Sequence, residues 1–181
     1  MTNLFADTEE TSSTNNSSDS LNNTPKPAHI FKWMFATNHL NLMMILAIGM
    51  LPEPKRLGKK YYVDSLNIQE GWIPLFSKKI PTDILNYGIS EDTDLLKPCI
   101  AEITLQSPAI QNITKLPALI NNSWHLLDTQ HDDFSQVECL LVPAPLPLTM
   151  ITKVLFRSKE ERKEFISRIN EVQNVDFTFN Q

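Results

Sequence analysis

Few residues in this chain have the type and setting to do chemistry, and Glu138 is the foremost. It lies in the segment SQVECLLVP, an acidic side chain among apolar neighbours on what reads as a strand. A carboxylate there is either exposed on an alternating face or held in a cleft for a purpose. A second group is cationic: the loop PEPKRLGKKYY gathers Lys55, Arg56, Lys59 and Lys60 beside Tyr61 and Tyr62. Cations with aromatics can hold phosphates and stack bases, although the same residues also make an ordinary solvated loop. His29, His39, His125 and His131 show no metal-ligand spacing and sit beside no nucleophile motif, so no metal is expected. Four glycines in 181 residues leave no Gly-rich phosphate loop. Two cysteines, Cys99 and Cys139, build neither a disulfide framework nor a four-ligand zinc site. A reduced, cytoplasmic setting is expected from that usage.

The elements that must position these residues read mostly as strands. His29 to Phe35 is aromatic and apolar and predicts a strand. Thr37 and Asn38 are both competent helix N-caps, and Leu40, Met43, Met44 and Ala47 repeat at helical spacing behind them. Gly49, with Pro52 and Pro54 beyond it, stops that helix. WIPLF (72–76) is a short apolar piece, followed by a loop and helical turn in SKKIPTDILNYG. Further strands are predicted over Cys99–Leu105, Trp124–Leu127, Val137–Val142 and Ile151–Phe156. Ser158 caps a helix, KEERKEFISRINEV, with Phe165, Ile166 and Ile169 on one face, and Asn174–Phe179 reads as a last strand. Strands with helices near the start and end give an α+β class.

Charge and hydropathy narrow the function classes. The formal charge is −5, of which residues 1–25 carry −4 through Asp7, Glu9, Glu10 and Asp19, leaving −1 for the 156 residues that follow. The body is nearly neutral, so bulk charge argues neither for nor against a nucleic-acid partner. Residues 6–25 are Ser-, Thr- and Asn-rich with almost nothing to bury, which predicts a disordered tail over 1–26 and one domain over 27–181. The acidic start is unlike a signal peptide. The strongest apolar run, Leu40 to Leu51, is twelve residues interrupted by Asn41. A bilayer span needs roughly 20 residues, so the run reads as a buried core helix and no membrane partner is expected.

Several segments, in order, resemble one family, the DarT-type ADP-ribosyltransferase toxins. ATNHLNLMMILAIGML is similar to that family's opening strand and helix, with its ITH-type triplet, and GWIPLFSKKIPTDIL to its VPFYF.PR.PML segment. CIAEITL resembles the next core strand and SWHLLDTQ the FTDGNA stretch. SQVECLLVPAPLPLTMITKVLF resembles QAEFLV with the strand after it, and NVDFTFNQ the terminal strand. The likeness spans roughly 29–181. It implies an ADP-ribosyltransferase-like α+β fold with a mixed or antiparallel sheet and a few helices. It also implies NAD as co-substrate and a base of single-stranded nucleic acid as acceptor.

The resemblance assigns roles residue by residue. Glu138 falls on the family's catalytic Glu, Thr37 on the Thr of the first motif near NAD, and Asp128 on the Asp of the TDGNA stretch. Asn38 stands where the family has His, with His39 one position later, and Lys79 stands where it has Arg. The candidate set is therefore Glu138 and Lys79 for catalysis, Thr37, Asn38, His39 and Asp128 for NAD, and Lys55, Arg56, Lys59 and Lys60 for nucleic acid. The rival is a non-catalytic module of the same fold that binds nucleic acid or a protein partner, such as an antitoxin, in a defence or toxin–antitoxin setting. The composition of the tail makes one prediction of its own. Deleting residues 1–25 should shift the thermal midpoint by no more than about 2 °C, measured by scanning calorimetry, because almost no buried apolar area is lost.

Overall fold

The computed structural model describes residues 25–58, 68–82, 84, 97–106 and 112–173. The tail to residue 24, Lys59, Lys60 and the expected strand Asn174–Phe179 lie outside these residues. Among the described residues nine strands and two long helices follow in the order β1 (Lys32–Asn38), α1 (His39–Ile48), β2 (Met50–Leu51), β3 (Trp72–Phe76), β4 (Pro98–Thr104), β5 (Lys115–Ile120), β6 (Ser123–Asp128), β7 (Cys139–Pro143), β8 (Leu146–Pro147), β9 (Ile151–Phe156) and α2 (Lys159–Gln173). Seven of the strands form one sheet in the order β6-β5-β7-β3-β1-β4-β9, and β2 pairs with β8 apart from it. Every neighbouring pair is antiparallel. No helix among the described residues is long and apolar enough to cross a membrane.

Period-two alternation sets the two faces of the sheet. Trp33 and Phe35 of β1 pack in one cluster with Ile73, Leu75, Ala101, Ile103, Leu140 and Val142. Ala36 belongs to the opposite cluster with Phe76, Cys139 and Leu141, closed by Ile80 and Ile84. β1 begins later than its composition predicts, because Ala28–Ile30 forms a 3-10 turn ahead of it. The cause is a fully buried Trp33, whose Nε1 donates to the Ala28 carbonyl at 3.0 Å and folds the chain back before the strand starts.

The helix ends match their signals. Of the two candidate caps Asn38 is the one used, its Oδ1 accepting from the Asn41 N–H at 2.8 Å. Gly49 closes α1 at φ 78°, a left-handed conformation that a side chain disfavours. Ser158 Oγ accepts from the Glu161 N–H at 3.1 Å and starts α2. Among the described residues the expected core helix packs by one side: α1 hides His39, Asn41, Leu42 and Ile45, while Leu40 is 40% and Ile48 49% exposed.

β5 escaped the sequence reading because KLPALI contains Pro117, which argues against a strand. Its pairs with β7 involve only Ala118 and Leu119, so no partner in β7 is matched to the proline. The hairpin joining β5 to β6 turns on Asn121 (φ 48°) and Asn122 (φ 60°). Two successive left-handed residues make the tight turn whose twist suits antiparallel strands, and asparagine tolerates it better than most side chains.

His39 opens α1 and is almost completely buried against α2, its ring edge-on to Phe156 at 5.4 Å and Phe165 at 5.1 Å. Its backbone N–H donates to the Lys97 carbonyl at 3.1 Å, tying α1 to the entry of β4. Burial lowers the imidazole pKa from 6.5 to about 4, although the nearby Glu161 carboxylate pulls the other way. The unfolded chain therefore takes up a proton below about pH 6.5 that the folded chain refuses. Stability is full above that pH and falls as the pH drops toward 4, by about 2 kcal/mol at pH 5 for this group alone. Urea titrations at pH 7 and pH 5 should show this loss in the wild type and its absence in His39→Leu.

Candidate active site

Glu138 sits at the start of β7, and hydrogen bonds from both flanking strands fix its backbone. Register pairs Phe76 with Cys139, so the chain leaving β3 lies beside the chain entering β7. The Ser77 N–H donates to the Glu138 carbonyl at 3.2 Å, and the Ser77 hydroxyl donates to the Val137 carbonyl. On the other side the Glu138 N–H donates to the Leu119 carbonyl at 2.8 Å. Its carboxylate Oε1 accepts from the Asn121 N–H at 3.1 Å, which anchors it to the β5–β6 turn. Of the two settings open to this carboxylate, the structure has the exposed one, at a strand end. Lys78 and Lys79 follow Ser77 directly and are exposed. The structure thus places Glu138 just before β7 and beside Ser77, with Lys79 three residues past the end of β3. Among the described residues neither lysine forms an ion pair.

A second feature lies along β1. It pairs with β4 at seven positions, from Lys32↔Thr104 to Asn38↔Pro98, but with β3 only at Met34↔Phe76. Beyond that pair the two central strands part, and Pro74 removes one N–H from the β3 backbone on the way. Thr37 and Asn38 occupy the parted end of β1, and both are fully buried. Thr37 Oγ1 and Asn38 Nδ2 have no hydrogen-bond partner among the described residues. A buried polar group left unpaired costs roughly 1–3 kcal/mol. Thr37 lies three residues along β1 from the level of Cys139, about 10 Å, and two inter-strand spacings of about 4.8 Å across. These residues and Glu138 therefore frame a span; they do not touch.

The remaining candidates are placed elsewhere. His39 turns away into the α1–α2 packing described above, and its unpaired Nε2 is buried there. Asp128 ends β6 at the far end of that strand from Glu138, since Ser123 is the residue beside the turn. Its Oδ1 accepts from the N–H groups of Gln130 (2.9 Å) and His131 (3.1 Å) and contacts His131 Nδ1 at 3.0 Å. Those bonds, from Gln130 first, hold its pKa below the usual aspartate value. Of the basic loop, Lys55 pairs with Glu70 at 2.7 Å and Arg56 with Glu53 at 3.0 Å, so both charges are matched locally. Lys59 and Lys60 lie outside the described residues.

Cys139 follows Glu138 but is buried, and burial pushes its thiol up to about 12, far from nucleophilic use at neutral pH. No three potential metal ligands cluster among the described residues. A cavity of about 780 Å³, with His29, Gln106, Asn112, Thr129 and Gln130 on its walls, contains none of the residues the resemblance assigns. Sequence reasoning missed Ser77 and Asn121, whose hydrogen bonds hold Glu138. The one signal for them was the Asn121–Asn122 pair, a turn dipeptide that fixes where β5 ends.

Neither a protein-family model nor a curated protein sequence matches the chain. Solved structures do match. The structure of Thermus sp. 2.9 DarT in complex with carba-NAD+ superposes with a TM-score of 0.56 at 12% identity, over 83% of this chain and 93% of that one. The same protein in complex with ADP-ribosylated ssDNA gives 0.54 at 12% identity, over 82% and 91%. Its complex with NAD+ gives 0.53 at 14% identity, over 86% and 94%. At this identity the likeness is one of architecture: the chain has the DarT-type ADP-ribosyltransferase fold that its sequence fragments resemble.

Proposed function

We propose that this protein transfers ADP-ribose from NAD to a nucleic acid, with Glu138 as the catalytic carboxylate. The observation that carries this reading is the exposed Glu138, held at the start of β7 by Ser77 of the segment that runs on into Lys78 and Lys79, in a sheet where β1 pairs with β3 only at Met34. The fold it shares with DarT complexes holding NAD+ and ADP-ribosylated ssDNA supports the same assignment.

The groups present fit such a co-substrate. Thr37 Oγ1 and Asn38 Nδ2 are hydrogen-bond donors without a partner among the described residues, and exposed Lys79 supplies a charge for the diphosphate. NAD brings a glycosidic bond whose pyridinium leaves as neutral nicotinamide. Positive charge then grows at the ribose carbon, and a fixed carboxylate favours it electrostatically. Glu138 is fixed for this role: its backbone is bonded on both sides and its Oε1 is held by the Asn121 N–H. The free Oε2 is the atom to accept the proton released as the acceptor nucleophile bonds to that carbon. Lysine in place of arginine gives a point charge without the two-pronged fork, so a looser hold on the diphosphate is expected.

One specific observation favours the rival, a non-catalytic module for nucleic acid or a protein antitoxin. Asn38 and Lys79 stand where the family has His and Arg. Calorimetric titration with NAD separates the two, because the module has no reason to bind it. For the transferase, Glu138→Gln should keep the fold and lower transfer of labelled ADP-ribose by roughly 10²–10⁴-fold. Lys79→Ala should weaken NAD binding, whereas Lys79→Arg should match or improve on the wild type. Equal NAD affinity in all three Lys79 proteins would remove Lys79 from the site, and full activity in Glu138→Gln would end the transferase reading.

A further inference from the structure

We infer that Trp124 is the platform on which an unpaired acceptor base stacks, an inference that rests on the transferase reading above. β6 is an outer strand of the main sheet and carries Trp124 at 40% and Leu126 at 63% exposure on one face. Outer strands are ordinarily guarded by lysine, proline or a bulge. Within SWHLLD no lysine or proline occurs, and its pairing with β5 runs without a bulge from Ser123 to Asp128. Trp124 and Leu126 together leave an apolar patch open on that face.

Its position says which partner. Trp124 is in register with Leu119, and Leu119 accepts the Glu138 N–H at 2.8 Å. One strand spacing therefore separates the indole's backbone from that of β5, where the carboxylate is bonded. On the other side of Glu138, Ser77 leads into Lys78 and Lys79, exposed and without an ion pair among the described residues. Crossing the strand ends from β3 to β6, one meets two unmatched cations, a carboxylate, an amide turn and an indole. The width is three inter-strand spacings, roughly 14 Å. Cations for the phosphates and an aromatic face for the base are the two elements of single-strand recognition, and any base can use the latter. An apolar protein strand would want Leu126 and Trp124 but has no use for the lysines.

The test uses the full chain and a short fluorescein-labelled single-stranded DNA of mixed sequence. Affinity is read by anisotropy over a range of salt, with NAD binding measured in parallel. Trp124→Ala should weaken DNA binding by about tenfold or more. Trp124→Phe should retain most of the affinity. Both should leave NAD binding and the salt dependence as in the wild type, since stacking releases no counterions. Wild-type DNA affinity in Trp124→Ala would overturn the platform. So would a loss of NAD binding together with DNA binding, which marks a structural role. NAD binding by a wild type that ignores DNA would also overturn it while sparing the transfer chemistry, and would leave β6 as a docking edge for a protein. DNA binding that depends on Trp124, in a protein that never binds NAD, would keep the platform and overturn the transferase.

Discussion

The asymmetric pairing of β1 governs how this molecule is built. One edge of the strand is matched to β4 along its whole length, and the other meets β3 at a single residue pair. A central strand normally satisfies its backbone on both sides, because an unpaired buried amide or carbonyl is costly. Here the pairing with β3 ends at Met34, and the chain carries fully buried polar side chains, Thr37 and Asn38, at the parted end. The apolar clusters on the two faces hold the halves of the sheet together.

Antiparallel geometry then does the positioning. Since β3 and β7 run in opposite directions, the exit of one lies beside the entrance of the other, and Ser77, two residues before Lys79, bonds to the Glu138 backbone. The short turn of Asn121 and Asn122 performs the same service on the far side, and its own backbone N–H holds the carboxylate. Glu138 is consequently exposed yet oriented. That combination suits a group that must meet a substrate, whereas a fully buried carboxylate would have to shed its charge or find a partner.

The opposite end of the chain of strands is treated differently. Around His39 the structure uses aromatic packing against Phe156 and Phe165 and leaves the imidazole neutral, and around Asp128 it uses the carboxylate to build a loop turn. Both residues are sequence candidates for holding NAD, and both are engaged in holding elements in place. The unmatched charge of the described surface near the candidate site is thus carried by Lys78 and Lys79, while Lys55 and Arg56 are matched by Glu70 and Glu53.

The sequence by itself determined the local elements whose signals lie within a few residues: the Asn38 cap, the Gly49 stop, the Ser158 cap and strands with clean alternation such as Ile151–Phe156. These are short-range effects of backbone preference and hydrogen bonding, and they survive whatever surrounds them. The resemblance carried by scattered fragments also placed the fold. Only the tertiary structure decided that Pro117 lies within a strand, because which strand edge needs donors depends on the neighbour it meets. It alone separated the polar run 37–39 into two groups at an opening and one in a helix contact, since successive residues leaving a strand for a helix point in directions no pattern encodes. And it alone set the exit of β3, the entrance of β7 and the β5–β6 turn side by side, for that arrangement follows sheet order, and sheet order is a long-range property of the packed chain.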